Sequence, residues 1–203
     1  SGMNNTESRL PQDGAIKGLI EFIDVLEPKI LSITTCLETL TKVKSATAYS
    51  KFMSEINKQI KDEGKTDVGI VLCDCDNLKG INDSYGHSVG DIYIKNCCRV
   101  ICETFSHSPV FRIGGDEFLV VLQNNDLKEH QYLVKKFEMQ VSNSSKIKKV
   151  EDGRASISMG VAIYDKRIDK QIADTCRRAD SEMYKVKEVH RKNFLTANLF
   201  VKQ

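Results

Sequence analysis

The sequence predicts a mixed α/β domain. Short apolar runs rich in branched residues alternate with segments whose apolar residues recur at helical spacing, and two of the runs flank a Gly-Gly turn. An N-terminal stretch, helical by its spacing, precedes that domain.

Residues 1–13 are polar. From Ile16 the apolar residues fall at Ile16, Leu19, Ile23, Leu26, Ile30, Ile33, Leu37 and Leu40, in alternating steps of three and four, the spacing of a coiled-coil seam. Pro28 interrupts a single helix there, and Ile20, Phe22, Val25 and Leu31 widen the stripe. Two readings stay open: a helix that pairs two protomers and passes on a signal, or two short amphipathic helices packed on their own domain. Residues 1–37 are therefore set apart from a domain over 38–203.

Within the domain, Tyr49, Phe52, Met53, Ile56 and Ile60 share one face of a helix over about Ala46 to Lys61. Val68 to Cys73 is a buried strand by its apolar, branched composition. Polar, glycine-bearing sequence from Asp74 to Gly90 breaks regularity before a helix over about Asp91 to Phe105. Val110 to Ile113 and Glu117 to Leu122 read as strands of a hairpin whose Gly114-Gly115 centre accepts positive φ. A helix near Leu127 to Val141, a strand near Ala155 to Ile163 and a helix over about Lys170 to Val189 follow. The apolar tail from Phe194 to Val201 reads as a further short strand.

The chain has 203 residues, 40% hydrophobic and 29% charged, which excludes disordered and collagen-like classes. Thirty Lys+Arg against 28 Asp+Glu leave a net charge of +2, so no basic field points to nucleic acid or a membrane surface. No apolar run reaches the roughly 18 residues of a membrane span. Ser1-Gly2-Met3 reads as a cleavage remnant ahead of a start methionine with no signal peptide after it. A cytoplasmic domain of a longer sensor protein fits that pattern. The seven cysteines (Cys36, Cys73, Cys75, Cys97, Cys98, Cys102 and Cys176) include no C-x-x-C pair and mostly sit in apolar runs. They read as reduced, buried small hydrophobes. The four histidines lack ligand spacing, so zinc is not expected.

Two constellations carry chemistry. In Cys73 to Asp91, Asp74 closes a buried strand and is followed by Asp76, Lys79, Asn82, Asp83, His87 and Asp91. In Arg112 to Phe118, RIGGDEF, two carboxylates follow a glycine turn. Like charges packed together need a compensating cation. Asp74 with Asp116 or Glu117 would make an oxygen-only site suited to magnesium, and magnesium on two carboxylates points to a polyphosphate substrate and displacement at phosphorus.

These blocks, with SISMGVAIY (Ser156 to Tyr164) and ADSEMYKVKEVHRKN (Ala179 to Asn193), resemble the GGDEF family of diguanylate cyclases, in order and spacing, over about Glu38 to Asn193. The resemblance implies a palm-like mixed sheet flanked by helices, the fold class α/β (α+β), with the GGDEF hairpin at the active site. It implies two Mg²⁺, or Mn²⁺, on Asp74, the backbone carbonyl of Cys75, Asp116 and Glu117. The base for the ribose 3′-hydroxyl would be Asp116 or Glu117. Asn82 and Asp91 match guanine-reading positions. A carboxylate accepts from N1–H and the 2-amino group of guanine, and a wrong base leaves it unpaired at about 1–3 kcal/mol, so Asp91 favours GTP alone. His87 either contacts substrate or braces its loop. Lys79, Lys187 and Arg191 match triphosphate positions; Lys187 and Arg191 lie four apart on one helical face. The backbone amides near Asn77 and Leu78 would complete the cradle.

The chain departs from the family pattern at four places. Asn77 replaces a usual Phe, Glu38-Thr39-Leu40-Thr41-Lys42 replaces Asp-x-Leu-Thr-Gly, and His190 replaces a common glycine. Phe105-Ser106-His107-Ser108 stands where many relatives carry a product-binding Arg-x-x-Asp. The function expected is a diguanylate cyclase joining two GTP across a two-fold homodimer, without nucleic-acid or membrane contact from this segment. The alternative is a catalytically silent GGDEF domain that senses GTP or cyclic di-GMP.

Overall fold

In the computed structural model, residues 37–64 and 67–200 are described. The seam from Ile16 to Ile33, Cys36 and the segment boundary at residue 37 lie outside those residues or at their edge, and so does Val201.

Strand β1 (Gly69–Cys75) is buried at every position. That follows from its place inside the sheet, β2-β3-β1-β4, where it pairs antiparallel with β3 (Glu117–Leu122) and β4 (Ile157–Ile163). Strand β2 (Val110–Arg112) completes the sheet on the far side of β3, also antiparallel. Parallel pairing enters through a single bridge, Lys44 to Phe111. The helices in chain order are α1 (Ala46–Glu63), α2 (Leu78–Tyr85), α3 (His87–Thr104), α4 (Asn124–Lys128), α5 (His130–Ser145) and α6 (Ile172–Phe200). The connectivity is a split βαβ, with β3 inserted between β2 and β1.

The period-two alternation of the strands divides the core. Val71, Cys73 and Cys75 of β1 join Phe118, Val120 and the α3 and α5 residues Tyr93, Ile101 and Phe137. Ile70 and Leu72 face the other way, with Met53 and Ile56 of α1 and Ile172, Ala179 and Met183 of α6. Asp74 continues the Ile70, Leu72 series and so emerges on the α6 side. The six described cysteines are free thiols, four of them buried. Among the described residues no helix is long and apolar enough to cross a membrane.

Three local expectations change. Residues 78–85 form α2 instead of a loop. Asn77 in the left-handed region (φ 57) starts that helix, and Gly86 (φ 87) separates it from α3. The 127–141 helix is instead a short α4 and a longer α5, meeting at Glu129. The tail from Phe194 is no strand, because α6 runs on to Phe200. No glycine or proline between Val189 and Phe200 stops it.

Gly160 sets how closely α6 lies on the sheet. A Cβ there would stand 2.1 Å from the Ala179 carbonyl oxygen and 2.2 Å from the Met183 nitrogen. Both are backbone atoms, so the helix would have to lift. Gly160→Ala is expected to destabilise the domain by about 1–3 kcal/mol, read as a lower denaturant midpoint. An unchanged midpoint would show that α6 is free to shift.

Candidate active site

Asp74 is 3% exposed. Lys187 of α6 donates from Nζ to its Oδ2 at 2.5 Å, while Oδ1 is buried with no partner. Burial pushes the Asp74 carboxyl up and Lys187 pulls it back, but the Asp116 and Asp76 carboxylates add to the rise. In the sheet register Asp74 stands opposite Glu117 on β3 and Ser158 on β4. The Cys75 N–H donates to the Asp116 carbonyl at 2.9 Å. Asp74, Asp116 and Glu117 therefore share the rim where β1 meets the hairpin. Asp116 is half-buried and Glu117 exposed.

A bare buried carboxylate oxygen beside further carboxylates suits a hard cation. Among the described residues no three His, Cys, Asp or Glu side chains already converge as a metal cage. A cation here would accordingly complete its shell with backbone or substrate oxygens, which is the common habit of magnesium.

The hairpin turn closes with Ile113 N–H donating to the Glu117 carbonyl at 3.0 Å. Neither Gly114 nor Gly115 has a positive φ, contrary to the sequence expectation. A Cβ on Gly114 would lie 2.7 Å from Oε2 at the far end of the exposed Glu117 side chain and 3.3 Å from its Cβ, whereas Gly115 opens onto free volume. Arg112 braces the turn, donating to the Gly115 carbonyl at 2.7 Å and to Glu38 Oε1 at 2.8 Å. Glu38 also accepts from the Thr41 N–H at 2.7 Å and hydroxyl at 2.6 Å. Burial pushes the Glu38 carboxyl up, but the Thr41 and Leu40 bonds and the Arg112 charge hold it down at about 2. Glutamate thus serves in the entry turn where the family usually has aspartate. Lys42 takes φ 63 in that turn, a conformation that fits the glycine it replaces better than a lysine.

On the opposite side of the rim, the side chain of Asn77 lies over Gly80, where a Cβ would stand 2.4 Å from Asn77 Oδ1. Its left-handed backbone explains why asparagine is accepted there. Leu78 opens α2 and packs against the core; Lys79 is exposed. Asn82 presses on Gly90, with no room for a Cβ between them, so it lies beside Asp91. Its Oδ1 is buried and unpartnered. His87 and Asp91 are exposed on the first turns of α3. Arg191 is exposed, with only Glu188 at 3.6 Å as an ionic neighbour.

The family model "Diguanylate cyclase, GGDEF domain" matches residues 37–193. The chain belongs to the GGDEF family. Diguanylate cyclase A of Treponema denticola is 28% identical over 171 residues, covering 82% of this chain and 45% of that protein. The cyclic di-GMP phosphodiesterase PdeR of Escherichia coli is 31% identical over 140 residues, 68% of this chain and 21% of its own length. The chain thus spans less than half the length of these curated relatives. Among solved structures, the coiled coil and GGDEF domain of DgcB from Caulobacter crescentus, in complex with c-di-GMP, superposes with TM-score 0.68 at 18% identity, covering 88% of this chain and 95% of that one. The likeness supports the fold.

Within this GGDEF domain the sequence-predicted residues form an acidic rim (Asp74, Asp116, Glu117) with Lys187 in contact, and a second polar group (Asn82, Asp91) on α2 and α3. Lys79, His87 and Arg191 make no contact with either group that fixes their side chains. Asp76, a member of the first constellation to which the sequence assigns no role, is the centre of a third polar group. Asp76 accepts from the Ser156 hydroxyl at 2.7 Å, the Ser158 hydroxyl at 2.6 Å and His190 Nδ1 at 2.8 Å. The Tyr93 hydroxyl reaches its carbonyl at 2.9 Å. The sequence signal was Ser-x-Ser in the β4 block together with a histidine in place of glycine.

Burial raises the Asp76 carboxyl, but the bonds from His190, Ser158 and Ser156 leave it below its ordinary range. His190 is raised, chiefly by its bond to Asp76. The His190 contribution is complete below about pH 6.5 and lost as pH rises through its raised folded value. The Asp76 contribution is complete above about pH 4 and lost as pH falls through its depressed one. Denaturation at pH 6 and pH 9 should show the stability gap between the parent and His190→Gln shrinking at the higher pH. A gap that stays constant would contradict the ion pair.

Proposed function

We propose that this domain is a diguanylate cyclase, converting two GTP into cyclic di-GMP and two pyrophosphates. The observation that carries it is Asp74, buried at the end of the central strand with one oxygen on Lys187 and the other bare. The names of relatives such as Diguanylate cyclase A support the same reaction.

Asp74, the Cys75 carbonyl, Asp116 and Glu117 are the groups that would hold two Mg²⁺, or Mn²⁺. Bound there, the metals would draw charge from the phosphate oxygens and lower the pKa of the attacking hydroxyl. Lys187 occupies Asp74 Oδ2 and so directs a cation to Oδ1. With Arg191 one turn away and Lys79 on α2, it offers positive charge to a triphosphate. The amides of Asn77 and Leu78 present donors to the same group. Asn82 Oδ1, lacking any donor within the protein, together with the exposed Asp91 carboxylate, suits the N1–H and 2-amino edge of guanine. In each half-reaction the 3′-oxygen bonds to the α-phosphorus of the other nucleotide, the α–β phosphoanhydride breaks, and the hydroxyl proton passes to Asp116 or Glu117. One site per chain and two nucleotides per product require two copies facing each other.

A silent, nucleotide-sensing domain is the second reading, favoured by the similarity to a protein named for the opposite reaction. Incubation with GTP and Mg²⁺, followed by liquid chromatography and mass spectrometry, separates the two. Cyclic di-GMP is expected from the parent, with a loss of about 100-fold or more in Asp74→Asn and Asp116→Ala. GTP binding without product at high protein concentration would establish the sensor instead.

Product is expected not to inhibit through the Arg-x-x-Asp position. His107 there donates its N–H to Asp126 at 2.9 Å, and no arginine stands in Phe105 to Ser108. Initial rates unchanged by added cyclic di-GMP would agree; strong non-competitive inhibition would refute it.

A further inference from the structure

Away from the acidic rim, reactive side chains meet again on α3. Cys98 and Cys102 are one helical turn apart, and their sulfurs lie 3.9 Å from each other. Cys73, Cys75 and Cys97 are sealed in the core at 0%, 1% and 0% exposure. Cys98 is 5% exposed, but its partner Cys102 is only half-buried, so a small reagent can enter from the Cys102 side. The bond from the Cys98 thiol holds Cys102 below the usual thiol range, while Cys98 itself is raised. Cys102, the more exposed of the two, is the sulfur a reagent meets first, and Cys98, buried behind it, is placed to resolve.

What lies over this pair is the entry turn. Leu40, Val43 and Cys102 pack against the same core cluster, and Thr41 and Glu38 are near enough to Cys98 to shift its thiol, Thr41 downward and the Glu38 charge upward. Thr41 in turn holds Glu38, Glu38 holds Arg112, and Arg112 holds the Gly115 carbonyl of the hairpin. The dithiol sits at the far end of a short chain of side chains that finishes at the GGDEF turn.

We propose that Cys98 and Cys102 are a modification site at which a peroxide forms a reversible disulfide, loosening the entry turn at residues 38–44. The Cys102 thiolate attacks one peroxide oxygen, the O–O bond breaks, and a sulfenic acid and hydroxide form. The Cys98 sulfur then attacks the sulfenic sulfur and expels water. Two thiols and one hydrogen peroxide give one disulfide and two waters, with two electrons passing from sulfur to oxygen. Helical residues four apart have Cα atoms about 6 Å apart, inside the disulfide range of roughly 4.4–6.8 Å. Their Cβ atoms, however, are about 5–6 Å apart where a disulfide needs roughly 3.5–4.5 Å, so the bond forms only as the last turn of α3, which ends at Thr104, locally unwinds. The sulfurs must close to about 2.05 Å, which draws Cys98 away from Thr41. A small-molecule dithiol reverses the step by exchange.

The full chain is treated with hydrogen peroxide, remaining thiols are alkylated under denaturing conditions, and tryptic peptides are read by mass spectrometry. Cleavage after Lys95, Arg99 and Arg112 puts the two cysteines on different peptides, 96–99 and 100–112, which stay joined only if the disulfide forms. The expected result is that joined pair, two hydrogens lighter and separated again by dithiothreitol. It should persist in Cys97→Ala and vanish in both Cys98→Ser and Cys102→Ser. Amide hydrogen exchange over residues 38–44 should rise several-fold on oxidation in the parent and not in the half-exposed Cys102→Ser variant. Free peptides after peroxide, a link that survives Cys98→Ser, or unchanged exchange over 38–44 despite a complete disulfide would each overturn the proposal. None of these readouts requires cyclase activity.

Discussion

The burial of one carboxylate organises the acidic rim of this domain. Asp74 stands on a strand paired on both sides and covered on both faces, where a lone negative charge would be expelled or neutralised. Lys187 answers it from the opposite element, and that contact is possible only because α6 lies directly on β4. The close approach depends in turn on Gly160 of β4, which faces Met183, one turn back along α6 from the lysine. A glycine in a strand, a lysine on a helix and an aspartate at a strand end are therefore one device. The fold uses the tight packing of α6 to deliver a positive charge to the sheet edge while leaving one aspartate oxygen unused.

The second device ties the hairpin to the start of the domain. Arg112 holds the Gly115 carbonyl with one arm and Glu38 with the other, so the turn that carries Asp116 and Glu117 cannot move without the entry segment. Glu38 keeps its charge because Thr41 supplies two further donors. The longer side chain of glutamate reaches the same arginine that an aspartate would have to meet from closer in. Lys42 carries the strain of the turn, a left-handed backbone on a residue with a Cβ, which costs about 1–2 kcal/mol. Anything that displaces residues 38–44 acts on the hairpin through the Arg112 guanidinium and through the Lys44 backbone bonds to Val110 and Arg112.

Much of this was legible in the chain. The strands announce themselves because runs such as VGIVLC and EFLVVL are branched and unbroken, and the hairpin because RIGG separates two of them. The acidic rim was legible because like charges crowded at a turn have no use in packing. Helix α2 was not, since LKGINDSY carries glycine and turn-forming residues; its start depends on a left-handed Asn77 that propensity does not reveal. The role of Asp76 was hidden for a different reason. Its partners Ser156, Ser158 and His190 are distant in sequence, and only the antiparallel register of β1 with β4 and the lie of α6 bring them together. The positive φ expected at Gly114-Gly115 is not adopted, because the turn closes without it through the Ile113 and Gly114 amides on the Glu117 carbonyl.

Three buried side-chain polar atoms lack a partner among the described residues: Asp74 Oδ1, Asn82 Oδ1 and Arg112 Nε. Native proteins leave few such atoms, and each costs on the order of 1–3 kcal/mol. Asp74 and Asn82 lie on opposite sides of the same rim, one an acceptor for a cation and the other for an N–H donor. A ligand that supplies both kinds of partner would satisfy both atoms at once. By linkage, such a ligand binds the folded domain and not the unfolded chain, and raises stability as RT ln(1 + [L]/Kd). Arg112 Nε differs. The other two nitrogens of its guanidinium bridge the Gly115 carbonyl and Glu38. The site is therefore preorganised in two senses: its acceptors are desolvated before any ligand arrives, and the turn that bears its acidic pair is clamped from behind.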